Sequence, residues 1–235
     1  MTTPATARAP GPASSTTPVA FVERASKTYA RAHAAVPALR SATLSLMPNE
    51  MVALVGPSGC GKSTLLNLLS GVDRADEGRV EVCGVDLVHA GEAELVRLRR
   101  TQIGIVFQSF HLVPHLTVEE NVALPLSLAG RRDDARVRDL LRRVGLEARR
   151  AHFPSQLSGG EQQRTAVARA LVHRPSIVLA DEPTGNLDSH NGAAVLALLD
   201  EMRRADGAAL LLATHDASVA ARADRVVRMA DGGIV

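Results

Sequence analysis

Met51-Val52-Ala53-Leu54-Val55 runs directly into Gly56-Pro57-Ser58-Gly59-Cys60-Gly61-Lys62-Ser63. The second segment matches G-x-x-x-x-G-K-[ST] in full, in the context that pattern requires. The first is all apolar, which predicts a strand buried on both faces of a parallel sheet. Residues 63–70 then read as a helix ended near Gly71. Glycines let successive backbone N–H groups converge on a concave anion site, and the helix N-terminus adds partial positive charge. Lys62 can reach the β- and γ-phosphates of a nucleoside triphosphate, and the Ser63 hydroxyl can ligate Mg²⁺.

Outward from this unit, the runs 177–180 and 208–213 repeat the buried-strand pattern, and 79–83 and 225–229 read as further strands. Ala42, Leu44 and Leu46 alternate with polar neighbours and Met47, and Pro48-Asn49-Glu50 makes a turn. Helical patterns separate the strands, so the expected core is α/β. Ile177-Val178-Leu179-Ala180 ends in two adjacent carboxylates. Asp181, at the carboxyl end of a strand beside the phosphate loop, suits Mg²⁺. Glu182 suits polarising the attacking water as general base.

Between about 109 and 156 the pattern turns helical. Thr117-Val118-Glu119-Glu120 has capping-box form, and a second helix is predicted over 133–144, stopped by Gly145. Eight arginines fall between Arg131 and Arg150 against four acids. They read as solvated helix faces, or as a contact with a partner or lipid headgroups.

Composition excludes several classes. The chain has 235 residues, 46% hydrophobic and 22% charged, enough for a sizeable core. No apolar run exceeds seven residues (193–199), whereas a bilayer-spanning helix needs roughly 20. The start, 1–18, is rich in Pro, Ala, Thr and Ser and reads as a disordered tail, not a secretory signal. Cys60 and Cys83 make neither a disulfide framework nor a four-ligand zinc site, which fits a reducing, cytosolic location. A net charge of +2, one tyrosine, four phenylalanines and no tryptophan argue against nucleic acid as a partner. Cys60 lies at a helix start near Lys62, which favours a reactive thiolate; alternatively it is a small loop residue facing the interior.

Leu157-Ser158-Gly159-Gly160-Glu161-Gln162-Gln163-Arg164 reads as a helix start, with Ser158 as N-cap and Glu161 completing a capping box. Two glycines in a first helical turn are disfavoured. They make sense if something approaches the backbone closely, which makes this a second anion site. One chain already holds a phosphate loop, so the pair of sites suggests a γ-phosphate held between two subunits.

LSGGEQQR, with the phosphate loop before it and ADEPTGNLD after it, resembles the nucleotide-binding subunit of an ABC transporter over about 19–235. The resemblance implies a P-loop NTPase core with a mainly parallel sheet, an N-terminal antiparallel β subdomain and an inserted helical subdomain at about 109–156. It implies ATP and Mg²⁺ as cofactors and ATP hydrolysis coupled to transport. Tyr29 falls where an aromatic stacks on adenine. Gly56 to Ser63, with Thr64, fall at the nucleotide. Gln108 falls at the glutamine linking Mg²⁺ to the membrane partner, and Ser63 and Asp181 at the metal. Glu182 and His215 fall at the catalytic glutamate and the switch histidine. Leu157, Ser158, Gly159, Gly160 and Glu161 fall where the signature meets the ATP of a partner copy. Asn186-Leu187-Asp188 falls at the loop crossing the dimer interface, and 109–116, with Phe110 and Leu112, at the groove that receives a helix of the membrane subunit.

Residues 154–157, ADEPTGNLD and ENVALPL resemble the branch of lipoprotein-releasing ATPases, macrolide-type exporters and the cell-division ATPase, which the end at Val235 also suits. That branch implies a homodimer with a separate transmembrane permease subunit at the inner face of the cell membrane. The alternatives are a cell-division-type ATPase that regulates a membrane complex, and a soluble ABC ATPase without a transport role.

Overall fold

The computed structural model describes residues 17–31 and 34–235. Apart from Thr17 and Pro18, the tail expected over 1–18 lies outside the described residues. In chain order the first elements are β1 (Ala20–Arg31), β2 (Ala34–Leu46), β3 (Met51–Val55), α1 (Lys62–Leu69), β4 (Glu77–Val82), β5 (Val85–Asp86) and α2 (Glu92–Thr101). There follow β6 (Ile103–Val106), α3 (Val118–Leu128), α4 (Asp134–Arg143), α5 (Gly159–Leu171) and β7 (Ile177–Asp181). The last are α6 (Ser189–Asp206), β8 (Ala209–Thr214), α7 (Ala217–Ala220), β9 (Arg225–Ala230) and β10 (Gly233–Ile234).

Two sheets result. A four-stranded antiparallel sheet has the order β2-β1-β4-β5, and a six-stranded one the order β10-β9-β3-β8-β7-β6. In the second, β9, β3, β8, β7 and β6 are parallel and only β10 runs against its neighbour. Side chains alternate across a strand, and both faces of this sheet are covered. Val52 and Leu54 of β3 and Leu211 of β8 face a core shared with the antiparallel sheet, α1 and α2. Met51, Leu210 and Leu212 face the other core, built with α3, α4, α5 and α6. That is why β3, β7 and β8 are apolar at nearly every position.

The helices form for local reasons. Thr117 and Ser158 cap α3 and α5 with complete capping boxes, and Asp133 caps α4. α4 buries Val137, Leu140 and Leu141. Most of the arginine run is paired inside the chain: Arg132 with Asp134, Arg142 with Asp139, Arg143 with Glu201, Arg149 with Glu161, and the buried Arg136 with Asp206. The run therefore reads as paired and solvated helix faces.

Candidate functional site

Parallel register brings the site together. Val55 of β3 pairs with Thr214 of β8, Ala213 of β8 with Asp181 of β7, and Ala180 of β7 with Val106 of β6. The residues that follow these strands therefore emerge along one carboxyl edge: the phosphate loop, His215, Glu182, and Phe107-Gln108. The carboxyl edge of a parallel sheet is where α/β folds bind ligands.

The phosphate loop turns into α1 through Gly61, whose φ of 106° suits glycine. A Cβ at Gly56 would collide with the Met229 carbonyl and lie 2.7 Å from Cys60 Sγ. Lys62 is buried, and its Nζ donates to the carbonyl oxygens of Gly56 (2.8 Å) and Pro57 (3.1 Å). A cavity of about 250 Å³ opens over the loop. Tyr29, Val36, Pro37 and Ala38 line one side, and Gly59, Gly61, Lys62, Ser63 and Thr64 the other. Pro57 and Ser58 are exposed at the loop tip.

Cys60 corrects an expectation. Its side chain is buried in the first core and lines no part of the cavity. Any contact it makes with a nucleotide is through its backbone, and the reactive-thiol expectation gives way to the interior one. Cys83 is half-buried, and burial pushes its thiol up, against the pull of a Ser176 hydrogen bond. Maleimide labelling of the folded chain at neutral pH is expected to be slow at both cysteines, with ATP making no difference. Rapid labelling at Cys60 that ATP suppresses would show the thiol to be open after all.

At the sheet edge, His215 Nδ1 donates to Glu182 Oε1 at 2.8 Å. Glu182 is well shielded and holds φ 45°, a left-handed conformation unusual for a residue with a side chain. Asp181 is half-buried and makes no ion pair among the described residues. Gln108 lies against the Gly185-Asn186 turn: Asn186 Nδ2 donates to Gln108 O at 2.9 Å, and Gln108 Nε2 reaches Asn186 Oδ1 at 3.4 Å.

The signature segment opens α5. Glu161 Oε2 accepts from Ser158 N (2.8 Å) and from Ser158 Oγ (2.9 Å). Leu157 is buried. None of these residues lines the phosphate-loop cavity of its own chain. The glycines have room: a Cβ at Gly159 would meet only Leu187 (3.8 Å) and Phe110 (3.9 Å), and one at Gly160 would meet Asn191 at 3.4 Å. Among the described residues, nothing these side-chain positions would meet demands two glycines there. Leu187 and Asp188 continue the turn beside them, Asp188 capping α6 by accepting from Asn191 N at 3.0 Å.

The 109–116 segment departs from expectation. Phe110 and His111 both take positive φ (60° and 47°), which turns the Phe110 ring towards Gly159. The nearby groove, about 390 Å³, takes His111 from this segment but not Phe110 or Leu112, and is lined otherwise by Phe107, Ile105, Leu124 and the half-exposed Leu128, among others. Three residues to which the sequence motifs assign no role hold this region. Asn121, fully buried, ties its amide to the carbonyls of Val113, Leu116 and Thr117. Gln163, also fully buried, donates to Pro183 O (2.6 Å) and Phe107 O (3.4 Å). Arg169 bonds the carbonyls of Phe110 and His111. A buried amide in an otherwise Ala/Val helix face was the available signal for Gln163.

A phosphate loop on a parallel sheet, with a glutamate and a histidine at the same edge, defines a P-loop nucleoside triphosphatase. The ABC transporter family model matches residues 39–185. The macrolide export ATP-binding/permease protein MacB of Shigella flexneri is 44% identical over 222 residues, covering 93% of this chain and 34% of that protein. An uncharacterized ABC transporter ATP-binding protein of Mycobacterium tuberculosis is 50% identical over 196 residues, covering 82% and 79%. The dimeric ATP-binding cassette MJ0796, in a post-hydrolysis state bound to ADP and Pi, superposes with a TM-score of 0.85 at 38% identity, covering 92% of this chain and 96% of that one. The chain belongs to the ABC transporter ATP-binding family, a family of ATPases. It spans about a third of the length of its macrolide-export relatives.

Proposed function

We propose that the chain hydrolyses ATP as a head-to-tail homodimer and drives a separate transmembrane subunit, for export or for mechanical work at the membrane. The observation that carries this reading is the convergence of the phosphate loop, the Glu182–His215 pair and Gln108 on one sheet edge. Lys62 and the loop amides bind the phosphates, and Tyr29 stacks on the base. Glu182 accepts the proton of the attacking water. His215 is held at Nδ1 by Glu182, which leaves Nε2 as the ring atom that meets the γ-phosphate.

The donor set fits Mg²⁺. No group of three His, Cys, Asp or Glu among the described residues could hold a metal. A hydroxyl (Ser63), one carboxylate (Asp181) and an amide (Gln108) suit a cation that is completed by phosphates and water. Bound there, the ion neutralises charge on the transferring phosphoryl group. The open flank of Gly159 and Gly160 supports their meeting the ATP of a second copy, together with Leu157, Ser158 and Glu161. Leu187, in the Asn186-Leu187-Asp188 turn, lies beside Gly159, which supports that turn as the interface loop.

No helix among the described residues is long and apolar enough to cross a bilayer, so in this reading the membrane-spanning part lies outside them. A transmembrane partner keeps the chain at the inner face of the cell membrane. Its docking helix seats in the groove lined by Phe107, Leu124 and Leu128, and not on Phe110. In a membrane preparation the tagged chain is expected to co-purify with a multi-span protein. Leu128→Asp is expected to abolish that while basal ATPase activity is retained, because a charge on the groove wall penalises an apolar partner. Wild-type recovery with Leu128→Asp would remove the groove from the docking.

A further inference from the structure

Tyr29 does not stand free at the mouth of the phosphate-loop cavity. Its hydroxyl donates to Asp73 Oδ2 at 2.7 Å. The other oxygen of the same carboxylate, Oδ1, accepts from Lys27 Nζ at 2.8 Å and from Arg74 N at 2.7 Å. Lys27 Nζ also donates to Arg74 O at 2.8 Å and lies 5.4 Å from the centroid of the Tyr29 ring. Asp76, one turn on, takes the amide of Thr28 at 2.7 Å and faces Lys27 Nζ at 3.4 Å. The strand segment 27–29 is thus laced to the turn 73–76.

Where that turn sits matters. α1 begins at Lys62 and ends at Leu69, and the Asp73 amide returns to Asn67 O at 3.3 Å. Asp73 therefore rides on the far end of the helix whose near end carries the phosphate contacts. A helix of this length is a stiff rod of about 12 Å. A tyrosine hydrogen-bonded to it keeps a set position relative to the phosphates, and a ring already fixed loses less rotamer freedom when a ligand binds.

The charge state suits the task. Burial works to raise the Asp73 carboxyl, but hydrogen bonds from Lys27, Tyr29 and the Arg74 amide outweigh it and hold the group below its usual range. The Asp73 hydrogen bond raises Lys27 in turn. Burial, then the Asp73 bond, raise the Tyr29 phenol, so it remains a donor at neutral pH. Lys27 and Lys62 are the only two lysines of the chain. One meets the phosphates and the other backs the residue that holds the base platform.

We infer that Asp73, backed by Lys27, is a positioning residue for the nucleotide base. It sets the plane and reach of the Tyr29 ring and ties both to the phosphate loop through α1. The inference rests on Tyr29 being the base-stacking residue, and the experiment separates the two.

The affinities of ATP and of ribose 5′-triphosphate, which has the phosphates but no base, are measured for the full chain. Tyr29→Ala is expected to weaken ATP by about 5- to 100-fold, the range of aromatic stacking on a base. Tyr29→Phe keeps the ring and removes the hydroxyl's bonds to Asp73 and Thr64. It and Asp73→Ala are each expected to weaken ATP by about 3- to 10-fold, a part of that stacking. The double variant is expected to be no worse than the weaker single one, since both remove the bond between Tyr29 and Asp73. Ribose 5′-triphosphate is expected to bind all variants alike.

If Tyr29→Ala binds ATP as the wild type does, the stacking assignment falls and this inference falls with it. If Tyr29→Ala is weak but Tyr29→Phe and Asp73→Ala are not, stacking stands and the positioning role is overturned. Equal losses for ATP and for the baseless triphosphate in Asp73→Ala would mean that Asp73 merely supports the fold, which also overturns it.

Discussion

Glu182→Gln is expected to bind ATP normally and to lose about 10²–10⁴-fold in kcat, the usual worth of a general base. The substitution isolates the chemistry from the structure. A glutamine Oε1 can still accept from His215 Nδ1, as the carboxylate does at 2.8 Å, so the pair at the sheet edge survives. Side-chain volume is nearly unchanged at a well-shielded position. The left-handed backbone at Glu182, φ 45°, costs on the order of 1–3 kcal/mol and is borne equally by both side chains. Only the ability to take a proton from water is lost. ATP is then trapped, and the chain is expected to accumulate as a dimer under saturating ATP-Mg²⁺. Single-turnover assays and light scattering read the two effects separately. Turnover within tenfold of wild type would place the base elsewhere, and a strictly monomeric variant, alone and with its membrane partner, would remove the head-to-tail dimer.

The elements legible in the sequence were those with one dominant signal. Met51–Val55 and Ile177–Asp181 are apolar throughout because both their faces are buried, and Ser158 announces its helix through a capping box that the structure contains. β1 was harder to read. Its register slips between Val22 and Ala25 and again between Ala25 and Lys27, with Arg24 at φ 47°. Each bulge resets the two-residue alternation on which a strand reading depends. The sequence therefore shows the hairpin only in part, near Ala42 and Leu44.

At the site, residue types and spacing carried the phosphate loop and the edge carboxylates, because that chemistry needs those groups in sequence. Side-chain direction did not come with them. Cys60 sits in the motif, but close packing against Gly56 and Met229 sends its thiol into the core. Phe110 is expected from its sequence to line the groove, but two successive positive-φ residues turn its ring towards Gly159. Asp73 carries no motif at all. It is a lone carboxylate in a turn, and only the folding of β1 across that turn brings it to Tyr29.

Lys62→Ala is expected to abolish turnover and to weaken nucleotide binding severely. Lys62 is buried in the loop, with its ammonium bonded to the Gly56 and Pro57 carbonyls. That places the charge beneath the loop amides, where phosphate oxygens can replace or share those bonds without moving the helix. A hydrogen bond to a charged group is worth roughly 1.5–3 kcal/mol. Meeting two phosphates, the ammonium makes more than one such contact, so the affinity loss is expected to be about 100-fold or greater. Lysine's role here is that of a compact point charge. Lys62→Arg is therefore expected to fail as well, because the planar, wider guanidinium does not fit under the loop. Melting curves with and without ATP-Mg²⁺ distinguish a lost ligand from a lost fold. Ligand binding raises the melting temperature of the wild type, while Lys62→Ala is expected to melt near the wild-type value without nucleotide and to gain nothing from adding it. An undiminished ATP-dependent rise in Lys62→Ala would show that the phosphates are held by some other group, and the assignment of the loop would fall with it.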